Sequence, residues 1–155
     1  MLVETLAGHI DDLDPQELSH LHVETVRLPE EDLRRPVQRV RSDHGNEFGL
    51  RLPRATVLHD GDILHRDEAG IVVVRVESTR VIVITPVDAE QMGRVAHALG
   101  NRHMPAQFAA LEGGGAEMVV PDDPTTVAYL RHESVSFSVQ DRVLDEPFHH
   151  AEHTH

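Results

Sequence analysis

Short runs of alternating apolar and polar residues dominate the first half of the chain. They are HVETVRL (22–28), PVQRVRS (36–42), EFGLRLP (47–53), ATVLHDGDILH (55–65) and GIVVVRV (70–76). Alternation with a period of two is typical of strands with one buried face, and turn signals such as Asp60-Gly61 separate the runs. We therefore expect a small antiparallel β domain over residues 1–76.

The second half mixes strand patterns with helical spacing. The apolar run RVIVIT (80–85) precedes a helical stretch that we expect Thr85 and Pro86 to open and Gly100 to close. Its apolar stripe is expected to comprise Val87, Met92, Val95, Ala96 and Leu99.

A hairpin, a second helix and a final strand are expected to follow. The runs AQFAALE (106–112) and AEMVVP (116–121) flank three glycines, Asp123-Pro124 starts a helix over 125–133, and SVSFSVQD (134–141) alternates as a strand. The order β-α-β-β-α-β is that of the ferredoxin-like split βαβ fold. We predict an α+β protein whose ferredoxin-like domain spans residues 77–144.

The last eleven residues, DEPFHHAEHTH (145–155), lack periodicity and are expected to form a flexible tail. Histidines stand at four of its positions, which are His149, His150, His153 and His155. A short His-rich tract indicates metal binding by its composition, without selecting one metal. A non-specific tail that buffers or stores nickel, zinc or copper is therefore one open interpretation of the whole chain.

Composition narrows the classes of function. The net charge of −13 and the aromatic content of 3% argue against an RNA-binding β module, and they suit a protein that attracts cations. The chain lacks cysteine and lysine, and it contains no Ser-His-Asp, HExxH or Gly-rich phosphate motif. We therefore expect a protein that is not an enzyme. The absence of a long apolar run or a signal-peptide pattern predicts a cytoplasmic location, without membrane contact.

The segment GNRHMPAQ (100–107) places a histidine between the first predicted helix and the next strand. A lone imidazole is most simply a turn residue, because transition-metal sites need several ligands. A two-fold axis beside His103 would change this by pairing it with its own copy. Pro105 is expected to make Met104 extended, and Arg102 to pair with an acidic neighbour or to hold the turn. Met104 and Phe108 are expected to line a dimer interface.

The string HALGNRHMPAQ (97–107) resembles the GNRH segment of the UreE family of urease accessory proteins, which are nickel metallochaperones. The stretch GLRLPRATVLHDGDIL (49–64) and the His-rich C-terminus are also similar to that family. The resemblance covers essentially the whole chain. GNRH after a helix, combined with a His-rich C-terminus, is more specific than either feature alone.

The resemblance implies a homodimer formed through the ferredoxin-like domain, with His103 of each copy binding one Ni²⁺ near the two-fold axis. His149, His150, His153 or His155 would add ligands, and Zn²⁺ or Cu²⁺ is expected to bind in vitro. The β domain is implied to bind peptide. The dimer would exchange nickel with the urease accessory GTPase, which delivers it to the urease apoprotein complex.

Two departures from the family pattern concern auxiliary ligands. No histidine stands just before the second helix, where Asp122 or Asp123 would be at most a weak oxygen ligand, and no cysteine precedes the first helix. The histidines of the first half are expected to be mostly solvated: His9, His20, His22, His44, His59 and His65. His97 is expected to be a surface residue or a partner behind the metal ligand, and His132 to favour the negative end of the second helix dipole. His20 and His22 are expected to share one face of a strand.

Overall fold

The computed structural model describes residues 1–149, which form two compact units. The first unit comprises Met1–Ser78 with Val143–Pro147, and the second comprises Thr79–Arg142 with Phe148 and His149. Strands and helices occur together, so the α+β class is confirmed. The helices found within residues 1–149 are too short and too polar to cross a bilayer.

Seven strands form two sheets in the first unit. They are β1 (Leu2–Val3), β2 (Gly8–His9), β3 (His22–Leu28), β4 (Val37–Arg41), β5 (Glu47–Arg51), β6 (Asp62–Arg66) and β7 (Gly70–Val76). The sheet orders are β1-β5-β4 and β2-β6-β7-β3. The pairs β1–β5 and β3–β7 are parallel, so the prediction of a purely antiparallel domain is wrong.

Strand β7 is apolar on both faces because both of its faces are buried, as is usual for strands in parallel pairs. Val72, Val74 and Val76 belong to a core that includes residues of β3, β4 and β5. Ile71 and Val73 belong to a second cluster, against which Ile10, Leu13, Leu18, Leu21 and Val23 pack. A pattern of alternating apolar and polar residues does not identify a strand that is buried on both faces.

The short helix α1 (Pro15–His20) supplies part of that second cluster and was missed from the sequence. Asp14 caps it, with Oδ1 accepting from the backbone N–H of Gln16 at 2.8 Å. With only six residues it shows no helical periodicity. In the run ATVLHDGDILH, which was predicted as strand, only the residues from Asp62 onward form a strand. Gly61 takes the expected positive φ, +93°.

The second unit has the element order β-α-β-β-α-β. Its elements are β8 (Thr79–Ile84), α2 (Ala89–Asn101), β9 (Gln107–Ala110), β10 (Ala116–Pro121), α3 (Pro124–His132) and β11 (Phe137–Arg142). The antiparallel sheet has the order β11-β8-β10-β9, so β9 is an edge strand. The core joins residues of both helices to one face of the sheet: Ile82, Ile84, Val95, Leu99, Met118, Val120, Leu130 and Val135.

Helix α2 begins later than predicted. Asp88 is its N-cap, with Oδ1 accepting from the Gln91 N–H at 2.8 Å, whereas Thr85 and Pro86 lie before the helix. The Thr85 N–H instead donates to the Ser136 carbonyl at 2.9 Å, which keeps Thr85 tied to the sheet. Val87, assigned to the apolar stripe, is 79% exposed for the same reason.

The chain remains packed after β11. Leu144, Pro147 and Phe148 are buried, so the expectation of a flexible tail from residue 145 is wrong for this stretch. His149 is exposed. His150, His153 and His155 lie outside the described residues.

Candidate metal centre

His103 lies at the C-terminal end of α2, in a left-handed backbone conformation with φ of 56°. The Met104 N–H donates to the Leu99 carbonyl at 3.1 Å, and the His103 N–H donates to the Gly100 carbonyl at 2.9 Å. These two bonds define a Schellman motif with His103 at C′, the position usually taken by glycine. The prediction that Gly100 closes the helix is therefore wrong, since Gly100 lies within α2.

A left-handed conformation costs an L-residue roughly 1–2 kcal/mol. Histidine is among the residues that tolerate it better than most, and such strain is often found at functional sites. Helix α3 nevertheless ends in the same way, with Ser134 at φ 57° and the Val135 N–H donating to the Leu130 carbonyl at 2.9 Å. The motif alone therefore fixes the His103 backbone without assigning its function.

Met104 anchors the turn from the inside. Its half-buried side chain packs against the core cluster that contains Leu99 and Met118. This contact between the residue after C′ and the last turn is the one that normally accompanies a Schellman motif. Phe108, the other residue expected at an interface, is 59% exposed on edge strand β9. His103 itself is exposed.

Arg102 links the end of α2 to α3. Its Cζ lies 5.6 Å from the centroid of the Tyr129 ring, within cation–π range. The pKa of Asp123 is lowered, first by the hydrogen bond from the Thr126 hydroxyl, then by the Thr126 backbone N–H, and further by the charge of Arg102. The contact that the structure gives the Arg102 guanidinium is thus with an aromatic ring of α3.

The two aspartates before α3 already have structural partners. Asp123 Oδ2 accepts from the Thr126 N–H and from its hydroxyl, both at 2.8 Å. Asp122 Oδ2 lies 3.4 Å from Arg80 Nε. Recruiting either carboxylate to a metal would disturb a cap or an ion pair.

Of the predicted tail ligands, one lies within the described residues. His149 is described and exposed, and the other tail histidines fall beyond residue 149. Within residues 1–149, no three or more His, Asp or Glu side chains lie close enough together to hold a metal ion.

The histidines of the first unit are exposed or half-buried, in line with the expectation that most are solvated, but several of them also have partners. His9 Nδ1 accepts from the Asp11 N–H at 3.1 Å, so Nε2 donates to the Asp60 carbonyl at 2.9 Å. His20 ends α1 while His22 begins β3, so the prediction that they share a strand face is wrong. His22 instead contacts the ring of His44, a pairing that no local sequence signal indicates.

Comparison with known proteins assigns the chain to a family. The family model described as the N-terminal domain of the UreE urease accessory protein matches residues 3–77. Proteins named urease accessory protein UreE are similar along the full length of both chains: 51% identical from Actinomyces naeslundii, 44% from an Arthrobacter species and 45% from Pseudarthrobacter chlorophenolicus. The resemblance seen in the GNRH segment is thereby confirmed, and the chain belongs to the UreE family of urease accessory proteins.

Proposed function

We propose that this chain is a cytoplasmic, homodimeric metallochaperone that binds Ni²⁺ and delivers it for assembly of the urease metallocentre. Its relatives carry the name of urease accessory proteins, which supports a role in urease maturation. The chemistry is ligand exchange on a cargo ion, so the protein is not an enzyme.

The observation that carries the proposal is the exposed imidazole of His103 at a backbone position that favours glycine. Its backbone is held by the Schellman bonds, and the adjacent Met104 is anchored in the core. A shared site near a two-fold axis requires a ligand that is both exposed and held in a fixed position. These features favour His103 as the ligand that each copy contributes to one Ni²⁺.

Imidazole ligands do not by themselves select nickel. Neutral imidazole suits Ni²⁺, Cu²⁺ and Zn²⁺, and intrinsic affinity is highest for Cu²⁺. Nickel as the physiological cargo is therefore inferred from the family rather than from the donor atoms. His149, His150, His153 and His155 are proposed to add ligands or to recruit the ion.

The proposed partners follow the same reasoning. Dimerisation is proposed to use the ferredoxin-like second unit, whose edge strand presents the exposed Phe108. The urease accessory GTPase and the urease apoprotein complex are proposed to receive nickel, and the first unit is proposed to bind peptide. The net charge of −13 disfavours a nucleic-acid partner.

Calorimetric titration of Ni²⁺ into the full chain tests the proposal. The variants are His103→Ala and a chain in which all four tail histidines are glutamine. Substitution is preferable to truncation after residue 147, because truncation would remove the buried Phe148. We expect the tail variant to keep a site of one ion per two chains and His103→Ala to lose it. The control variant His97→Ala, which removes an exposed histidine within α2, should bind like the intact chain.

The His-rich tract favours one alternative, a metal buffer in which only the tail binds. In that case the tail variant loses all binding and His103→Ala titrates like the intact chain. That pair of results would overturn the proposed bridging site.

A further inference from the structure

Two histidines meet on the surface of the first unit. His22 is the first residue of β3, and His44 lies in the turn between β4 and β5. Their ring centroids are 4.8 Å apart and their planes make an angle of 80°. Both residues are exposed, so solvent and ions have access to the pair.

The backbone under each ring is held in place. His22 pairs with Gly70, where a Cβ atom would lie 2.1 Å from the His22 carbonyl oxygen, so no side chain fits. The turn that carries His44 is fastened to β3: the Asp43 N–H donates to the Thr25 carbonyl, and the Thr25 N–H donates to Asp43 Oδ1, both at 2.9 Å. The contact thus joins two fixed points.

Asp43 also sets the tautomer of His44. His44 Nδ1 lies 2.7 Å from Asp43 Oδ1, and because a carboxylate only accepts, Nδ1 carries a proton. In the neutral imidazole, which is the form that binds metals, Nε2 then keeps its lone pair. A carboxylate behind a histidine is the usual arrangement for orienting a metal ligand. The His22 ring forms no hydrogen bond with another residue of 1–149, so it can turn about χ2 without losing one.

The surroundings are anionic. Glu24 Oε1 accepts from Asn46 Nδ2 at 2.8 Å, and Asp43 Oδ1 accepts from the Thr25 N–H at 2.9 Å. These hydrogen bonds hold two acidic side chains beside the pair of rings. His22 also lines an open cavity of about 340 Å³ with Glu24 and His65, so water can reach the His22 ring from that side.

We propose that His22 and His44 form an auxiliary site for a first-row divalent transition-metal ion. His44 Nε2 and one ring nitrogen of His22 are the protein ligands, and water completes the coordination. Such a pair should bind Cu²⁺ most tightly and Ni²⁺ and Zn²⁺ more weakly. The site lies in the first unit and depends neither on His103 nor on the function proposed above.

Zn²⁺, which is diamagnetic, tests the site in the full chain labelled with [¹⁵N]histidine. Long-range ¹H–¹⁵N spectra resolve the ring nitrogens residue by residue, so binding at His103 or the tail is observed separately. We expect His44 Nε2 and one His22 nitrogen to shift together with one apparent Kd. His22→Gln should weaken the response of His44 at least tenfold, while His20→Gln, a nearby exposed control, should leave it unchanged.

Asp43→Asn tests the positioning role of the carboxylate. Loss of such a partner typically lowers metal affinity by about 10–100-fold, so we expect a fall in that range while Zn²⁺ binding elsewhere is unchanged. The reciprocal variant His44→Gln, observed at His22, repeats the test should His22→Gln disturb the fold. A His44 response that persists unchanged in His22→Gln, or no response in the intact chain, would show that the rings only pack together.

Discussion

Replacing His103 by glycine should stabilise the apoprotein while it removes the proposed nickel ligand. His103 has a φ of 56° at the C′ position of α2, where glycine has no Cβ to strain. The prediction separates two demands on one position, because the backbone favours glycine and metal binding needs an imidazole.

The size of the effect follows from two opposing terms. Relief of the left-handed conformation gains roughly 1–2 kcal/mol. The greater freedom of glycine in the unfolded chain offsets about 0.4–1 kcal/mol of that gain. A net stabilisation of about 0.5–1 kcal/mol should remain, which raises Tm by about 1–4 °C for a chain of this size.

Thermal and urea denaturation of the metal-free protein, followed by circular dichroism, measure the change. Ser134→Gly is the matched control, because Ser134 occupies the same position after α3 with φ 57°. We expect both variants to be more stable than the parent, and only His103→Gly to lose the proposed site of one nickel ion per two chains.

Two results would refute this reasoning. A His103→Gly protein less stable than the parent, beside a stabilised Ser134→Gly, would show that the imidazole stabilises the fold by more than the strain costs. A His103→Gly protein that keeps the shared site would remove His103 from the ligand set.

Three other substitutions test contacts described above. Asp123→Ala should lower the free energy of unfolding by about 1 kcal/mol, because it removes the cap of α3. The pKa of Asp123 is lowered on folding, so the stability that the carboxylate adds is present above its ordinary pKa of 3.8 and is lost as the pH falls through the folded pKa. Urea denaturation should therefore show a smaller difference between variant and parent at pH 3 than at pH 7. Gly70→Ala should lower Tm more than Gly113→Ala, because a Cβ at Gly70 meets the His22 carbonyl and one at Gly113 meets nothing within 4 Å; equal losses would contradict this. Arg102→Leu should cost about 0.5–1 kcal/mol through Tyr129, and a double-mutant cycle with Tyr129→Leu that shows no coupling would exclude the cation–π contact.

Features with a local cause were predictable from the sequence. Asp123-Pro124 opens α3 as expected, and the three glycines before β10 all take positive φ in the hairpin. The first residue of α2 could not be predicted from the sequence, because Thr85-Pro86 and Asp88-x-x-Gln91 are both valid helix openings. The bond from Thr85 to Ser136, distant in sequence, decides between them.

In the candidate site, too, local features were predictable and features that depend on distant contacts were not. The sequence singled out His103, but local rules assigned the helix end to Gly100. Helix α2 instead extends through Gly100, and His103 takes the left-handed position at its end. In this arrangement the side chain of Met104 packs against the core. The contact between His22 and His44 depends on the pairing of whole strands, which residue patterns do not encode locally.

The division of the chain into units has a consequence for the order of folding. Val143–Pro147 belong to the first unit although they follow every strand of the second, and Leu144 and Pro147 within this segment are buried. A domain whose residues are contiguous can fold as soon as it leaves the ribosome. The N-terminal unit here emerges first yet acquires its last buried side chains only after Arg142 has been synthesised, so a fragment ending at Ser78 would lack these two buried residues.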